Sequence, residues 1–173
     1  MSTSGITNRR IYPRMAGYAV TLAMHTVNAV RMNSIFSNDD VTDPDIKQFN
    51  ENQFRFLTVW NVCLQTLYAA IGLSCDILSL AKEKKEGVLL KTLKSIRDNL
   101  FAAVLFPISL TVFSVFWPVF SYERILILPP SVDKALGSTS NHIIHTMILP
   151  VVFWEVLCRP RRIPKSHTLN LVQ

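Results

Sequence analysis

The sequence predicts an all-α fold, a multi-pass bundle of transmembrane helices, and three observations carry that expectation. Hydrophobic residues make up 49% of the 173 positions. The mean hydropathy is positive, at +0.26. The ionised residues are segregated, leaving uncharged windows at 15–30, 56–75, 99–122 and 135–154. A helix needs about 20 residues to cross a hydrocarbon layer of about 30 Å, and these windows match or approach that length. A transmembrane strand needs only about 10 alternating residues and many copies to close a barrel, so helix is the reading that fits. The chain is therefore expected to be a single integral-membrane domain over 1–173, with four spans near 11–32, 55–80, 98–122 and 141–158.

The first window is interrupted by His25, Thr26 and Asn28 and follows Arg9, Arg10 and Arg14. A signal peptide has a similar basic flank, but the apolar pattern resumes at Val27, Ala29 and Val30 without a small-residue cleavage site, so a retained helix is expected. The segment 31–55, carrying Asp39, Asp40, Asp43, Asp45 and Glu51, reads as an acidic, solvated loop. Its spacing lacks the glycine and terminal glutamate of an EF-hand. The link 81–98 sets Val88, Leu89, Leu93 and Ile96 near one face with lysines around them, the pattern of a helix lying on a membrane surface. In 123–140 a Pro129-Pro130 stop precedes GSTSN, with Ser140 or Asn141 as the expected N-cap of the fourth span. Pro107, Pro118 and Pro150 fall within spans three and four and predict kinks.

Charge sets the orientation. Of the 18 Lys and Arg residues, 13 fall in the N-terminal tail, the second link and the C-terminal tail. Arg31, Lys47, Arg55, Arg124 and Lys134 fall on the other side. Positive loops stay in the cytosol, so both termini are expected there. The net charge of +6 then follows from topology and attraction to anionic lipid, and nucleic acid is not an expected partner. The expected surroundings are the lipid bilayer of the endoplasmic reticulum or plasma membrane, with self-association into a homo-oligomer left open. Cys63, Cys75 and Cys158 are an odd set. Cys63 and Cys75 lie about 18 Å apart along one helix, too far to bond.

Polar side chains in a membrane helix mark its inward face. At 100° per residue, Thr58, Asn61, Gln65, Ala69, Gly72 and Asp76 form one stripe on the second span, and Tyr18, Thr21, His25 and Asn28 form one on the first. His142 and His145 stand a turn apart on the fourth. Thr58 and His145 each lie about 5 Å inside the same face, so the two are expected to meet. A hydroxyl needs a base to act as a nucleophile, and imidazole is the usual one. In that arrangement Asn61 is a donor for a developing oxyanion, His142 or Asn141 orients the imidazole, and Gln65 supports from below. Interhelical hydrogen bonding alone is the competing account of the same residues. A metal or haem site on His25, His142 and His145 is a weaker one, because no carboxylate completes it. No cofactor or metal is expected. Neither a G-x-S-x-G elbow nor H-E-x-x-H occurs, which excludes the common soluble hydrolase scaffolds.

The stretches FLTVWNVCLQT around Thr58, SIRDNLFAAVLFPIS around Arg97 and Pro107, NHIIHTMILP around His145, and Glu155 followed by Arg159-Pro160 resemble the androgen-inducible, TFPI-regulating family of multi-pass membrane threonine hydrolases. The resemblance covers roughly residues 15 to 160 and keeps the order and intervals of the four stretches. It implies hydrolysis of fatty acid esters of hydroxy fatty acids, a bioactive lipid ester class, with the nucleophile on Thr58 and the histidine on His145. His142 also matches. The resemblance implies six helices, so this chain is expected to be a C-terminally short form, and a non-catalytic scaffold or regulatory short form is the alternative function.

Overall fold

The computed structural model describes residues 3–36, 42–81 and 87–159. Of these, 92% are helical, and no strand occurs among them. The acidic Asp39 and Asp40, the lysines at 82, 84 and 85, and the tail carrying Arg161, Arg162 and Lys165 lie outside the described residues.

The first helix, α1, runs Thr3–Phe36. Its stripe of Tyr18, Thr21, His25 and Asn28 is buried, whereas Val20, Val27 and Val30 stay exposed. The same split corrects the span count. Among the described residues three helical stretches, rather than four, are both long and apolar enough to cross a membrane: Leu57–Ala81, Val88–Tyr122 and Pro130–Cys158. The polar stripe of α1 lowers its mean hydropathy although those groups face the other helices and not lipid.

The acidic segment is not wholly a loop, because it contains α2, Pro44–Asn52. Asp43 caps it, its carboxylate accepting from the backbone N–H groups of Asp45 and Ile46, and Pro44 occupies the first helical position, where no N–H is needed. A single 3₁₀ turn, Gln53–Arg55, then leads into α3, Leu57–Ala81. The buried side of α3 holds Asn61, Gln65, Ala69, Gly72 and Asp76, the expected stripe, with Tyr68 and Cys75 added. α1 and α3 run antiparallel, as Arg14 meets Asp76 at one end and His25 meets Gln65 near the middle. Between them the Tyr18 ring lies flat on Gly72, where a Cβ would come within 2.5 Å of the phenol carbon.

The third span is one long helix in three parts. α4, Val88–Leu100, passes through a π-helical turn, Phe101–Leu105, into α5, Phe106–Tyr122. Pro107 explains the turn: it has no N–H to offer the carbonyl four residues back, inside the π segment. α4 is therefore not a separate surface helix. Leu90 and Arg97 are buried, while Val88, Leu89 and Ile96 remain exposed.

The last span is broken twice. α6, Pro130–His145, is interrupted at Gly137, whose φ of 71° and ψ of 160° suit only glycine. Ser140 and Asn141 are consequently not N-caps, since the helix begins ten residues earlier, with Pro129 at its cap. α7, Ile148–Cys158, follows a break at Thr146 and Met147. Pro150 lies four residues beyond Thr146 and cannot donate to its carbonyl, which accepts instead from the Leu149 N–H at 3.2 Å.

Two apolar clusters fill the bundle. One gathers Phe36, Phe116, Phe120, Leu136 and Ile144 at the end bearing Thr58. The other packs Tyr18, Tyr68, Phe101, Leu105 and Val152 towards the opposite end. Below that second cluster the helices are tied by charge. Arg14 grips Asp76 with two bonds of 2.5 and 2.6 Å, Arg97 approaches Asp76 at 3.7 Å, and Arg159 grips Asp98 at 2.6 and 2.8 Å. Glu155 accepts from Tyr18 at 2.7 Å and from Tyr68 at 2.5 Å.

Candidate functional site

Thr58 lies in the first turn of α3, where the helix dipole favours negative charge. His145 ends α6, and the break imposed by Pro150 frees its ring to enter the space between α3 and α5. The Thr58 Oγ1 and His145 Nε2 are 3.3 Å apart. On the far side of the ring, Nδ1 is 2.7 Å from Asn141 Oδ1 and 3.2 Å from the Asn141 carbonyl. Both are acceptors, so Nδ1 carries the proton and donates. That leaves the Nε2 lone pair directed at the threonine hydroxyl. Phe116 of α5 stacks on the imidazole with ring centroids 3.4 Å apart and an interplanar angle of 8°, which fixes the plane of the ring.

One turn further along α3, Asn61 is fully buried. Its Oδ1 accepts from Ser109 Oγ at 2.9 Å, and its Nδ2 has no partner among the described residues. A buried amide N–H2 left without an acceptor costs about 1–3 kcal/mol, and such groups mark places where a ligand atom completes the bonding. The orientation of that amide is relayed from α1. His25 Nε2 donates to Gln65 Oε1 at 2.9 Å, Gln65 Nε2 donates to Ser109 Oγ at 3.1 Å and to the Ile148 carbonyl at 3.0 Å, and the Ser109 hydroxyl donates to Asn61 Oδ1.

Of the residues singled out in the sequence, Thr58, His145, Asn141, Asn61 and Gln65 converge on this network. His142 does not. It is exposed, stacks on Trp117 at 5.2 Å and bonds Thr146 Oγ1 at 3.0 Å, because three residues of helix turn it about 60° away from His145. The three intramembrane histidines therefore do not share a centre, and no metal-type grouping of His, Cys, Asp and Glu occurs among the described residues. Ser109 and Phe116 belong to the network and carry no periodic signal. Ser109 stands in a span that also holds Thr111 and Ser114, and Phe116 is one phenylalanine among 10.

A cavity of about 340 Å³ opens beside Thr58, lined by His25, Asn28, Met32, Val62, Cys63 and Ile144 among others. Its size falls within the usual range for a small-molecule site.

A helical membrane protein with a threonine at the wall of a cavity, an oriented histidine against that threonine and a buried amide one turn along the same helix is the class that this geometry defines. The chain belongs to the FAR-17a/AIG1-like protein family, whose pattern matches residues 20–172. It is 36% identical to the human androgen-dependent TFPI-regulating protein over 119 residues, which are 69% of this chain and 50% of that protein. It is 33% identical to the mouse protein of the same name over 122 residues, covering 70% of this chain and 52% of the relative. With the human androgen-induced gene 1 protein the identity is 28% over 139 residues, 78% of this chain and 58% of the relative. The chain thus spans about half the length of the curated relatives it matches. No solved structure matches it.

Proposed function

We propose that the site is that of a membrane hydrolase acting on lipid esters, in particular fatty acid esters of hydroxy fatty acids, with Thr58 as nucleophile and His145 as base. The observation that carries the reading is the line Thr58 Oγ1, His145 Nε2, His145 Nδ1, Asn141 Oδ1, with spacings of 3.3 and 2.7 Å. It has the order of roles of a catalytic triad, with an amide oxygen in place of the usual carboxylate.

Thr58 Oγ attacks the ester carbonyl carbon as its proton passes to His145 Nε2. The oxyanion that forms accepts from Asn61 Nδ2. Collapse of the adduct breaks the ester C–O bond, and the Nε2 proton goes to the departing alcohol oxygen. A water molecule then gives a proton to Nε2 as its oxygen attacks the acyl-threonine carbonyl, and collapse breaks the acyl–Oγ1 bond, returns that proton to Thr58 Oγ1 and releases the fatty acid. Asn141 holds the tautomer throughout, and Phe116 holds the ring plane.

The 13 to 5 division of basic residues supports a site facing away from the cytosol, about one helical turn inside the bilayer, where ester carbonyls and water meet. A second reading, a non-catalytic scaffold or regulator in which the polar residues only pack the helices, is supported by the bonds that Gln65 and Ser109 make between helices. Thr58→Val separates the two, because it keeps shape and removes the hydroxyl. In lipid nanodiscs this variant should insert normally and lose hydrolysis of a chromogenic lipid ester. Undiminished hydrolysis by Thr58→Val refutes the assignment.

A further inference from the structure

A residue that both lines a cavity and is exposed stands at its mouth. In the cavity beside Thr58 four lining residues meet that condition: Ala29 and Asn33 of α1, Phe54 of the 3₁₀ turn and Cys63 of α3. They fall at two levels. Asn33 lies in the last turn of α1, and Phe54 lies in the turn before α3, so this part of the mouth is at the end of the bundle, where Asn50 and Gln53 also line it. Ala29 and Cys63 are deeper. Cys63 is five residues beyond Thr58, about 7.5 Å further along the axis. His25 meets Gln65 across the antiparallel helices, so Ala29, four residues back, returns to the level of Asn61, about 3 Å from that of Cys63.

At that level the surroundings are hydrocarbon. Cys63 shares one face of α3 with Trp60 and Leu67, which are 53% and 52% exposed, and all three fall within the uncharged window 56–75. On α1 the exposed Val27 and Val30 flank Ala29. The cavity is therefore a slot with amide side chains at its outer end and an opening between α1 and α3 inside the membrane. What can pass such an opening is set by what is present at that depth. Ions, water and lipid headgroups are kept out by the cost of losing their hydration. An acyl chain moves from one apolar surrounding to another and exposes nothing to water.

We propose that the gap between Ala29 and Cys63 is a lateral portal, through which an acyl chain of a lipid in the surrounding leaflet enters the cavity while the polar part of that lipid stays at the end lined by Asn33, Asn50 and Gln53. A lipid lying along the slot carries its ester carbonyl past Thr58, which lines the cavity between the two levels. The inference rests on the esterase reading for the identity of the reacting lipid, and it adds the route by which that lipid arrives.

The test uses the 173-residue chain in lipid nanodiscs and octadecanoic acid carrying a mid-chain diazirine, with photoadducts assigned by peptide mass spectrometry. Adducts should form on Ile144, which is buried and lines the cavity, and excess octadecanoic acid should compete them away. Adducts on Val115, exposed on α5 and outside the cavity, report contact with bulk lipid and should resist competition. Ala29→Trp and Cys63→Trp each fill the gap from one side and should remove the Ile144 adducts while keeping those on Val115, whereas Gln53→Trp, at the outer end, should leave both. Absence of Ile144 adducts, the result expected if another protein segment covers the gap, overturns the portal, as does their failure to be competed. Adducts that persist in both gap variants also overturn it, and so does their loss in Gln53→Trp alone, which would mean entry from water. Labelling and competition in the unaltered chain decide the matter if a variant does not fold. Hydrolysis of a chromogenic ester reports the esterase reading separately. Hydrolysis without competed Ile144 labelling sinks the portal alone, and competed labelling without hydrolysis sinks the esterase alone.

Discussion

Replacing Asn61 with leucine removes a buried amide donor one helical turn from Thr58 while nearly keeping its volume, and the structure allows the consequences for stability and rate to be separated. Among the described residues Asn61 Nδ2 has no partner, so deleting it relieves about 1–3 kcal/mol. The same change takes the acceptor from the Ser109 hydroxyl at 2.9 Å, which costs about the same amount. The two nearly cancel, and the melting temperature should move little. The transition state has no such cancellation. Loss of a single oxyanion donor typically lowers kcat by about 100- to 1,000-fold. Ser109→Ala should act more mildly, because it removes only the anchor of the amide: about 1 kcal/mol of orientation, or about fivefold in kcat. Asn61→Asp keeps the acceptor for Ser109 but sets an anion against an anion, so it should be as inactive as the leucine variant. The assay is steady-state hydrolysis of a chromogenic ester by the protein in nanodiscs, with thermal unfolding followed in parallel. If Asn61→Leu retains kcat within about threefold of the unaltered protein at an equal folded fraction, the oxyanion role is wrong.

Thr58→Ser should keep measurable hydrolysis, and Thr58→Ala combined with His145→Ala should be no slower than either alone, since members of one catalytic unit are not additive; kcat measurements that add in the double variant would count against the pairing. Gly137→Ala should lower stability by about 1–3 kcal/mol, because a Cβ at φ 71° is strained and would also press on Arg31 Nη2 at 3.3 Å. Detergent-melting curves that superimpose would contradict it. Glycosylation sequons inserted near Asn38 and Lys134 should be modified in microsomes, and modification of one near Lys85 would reverse the proposed orientation.

The polar stripes of α1 and α3 were legible because a membrane interior penalises every unpartnered dipole, so Thr21, His25, Asn61 and Gln65 had to face inward whatever they bond to. The same reasoning placed Thr58 and His145 at one depth, and they lie 3.3 Å apart. It failed for His142, where a 60° offset at the edge of a stripe decides between core and surface and periodicity does not resolve it. The α2 helix was missed because its Asp43-Pro44 start sits among carboxylates that read as solvated loop. The ends of the third and fourth spans were misread for a different reason. Hydropathy finds the apolar middle of a helix, whereas α4 and the first half of α6 are polar and helical by packing.

The ion pairs at the end opposite Thr58 have a consequence for how the chain is built. Ribosomes deliver the helices in sequence order, and the charges that meet in the folded bundle emerge as Arg14, then Asp76, then Arg97 and Asp98, then Glu155 and Arg159. Each of α3, α4 and α7 thus brings a charge opposite in sign to one already waiting: Asp76 for Arg14, Arg97 for Asp76, and Arg159 for Asp98. Stranding one such charge without its partner is strongly destabilising, by about 3–5 kcal/mol when a buried pair is broken. The order of signs along the polypeptide therefore suits stepwise assembly, α3 pairing with α1, the long third helix with α3, and α7 with the third helix, while the threonine and histidine meet at the opposite end of the bundle.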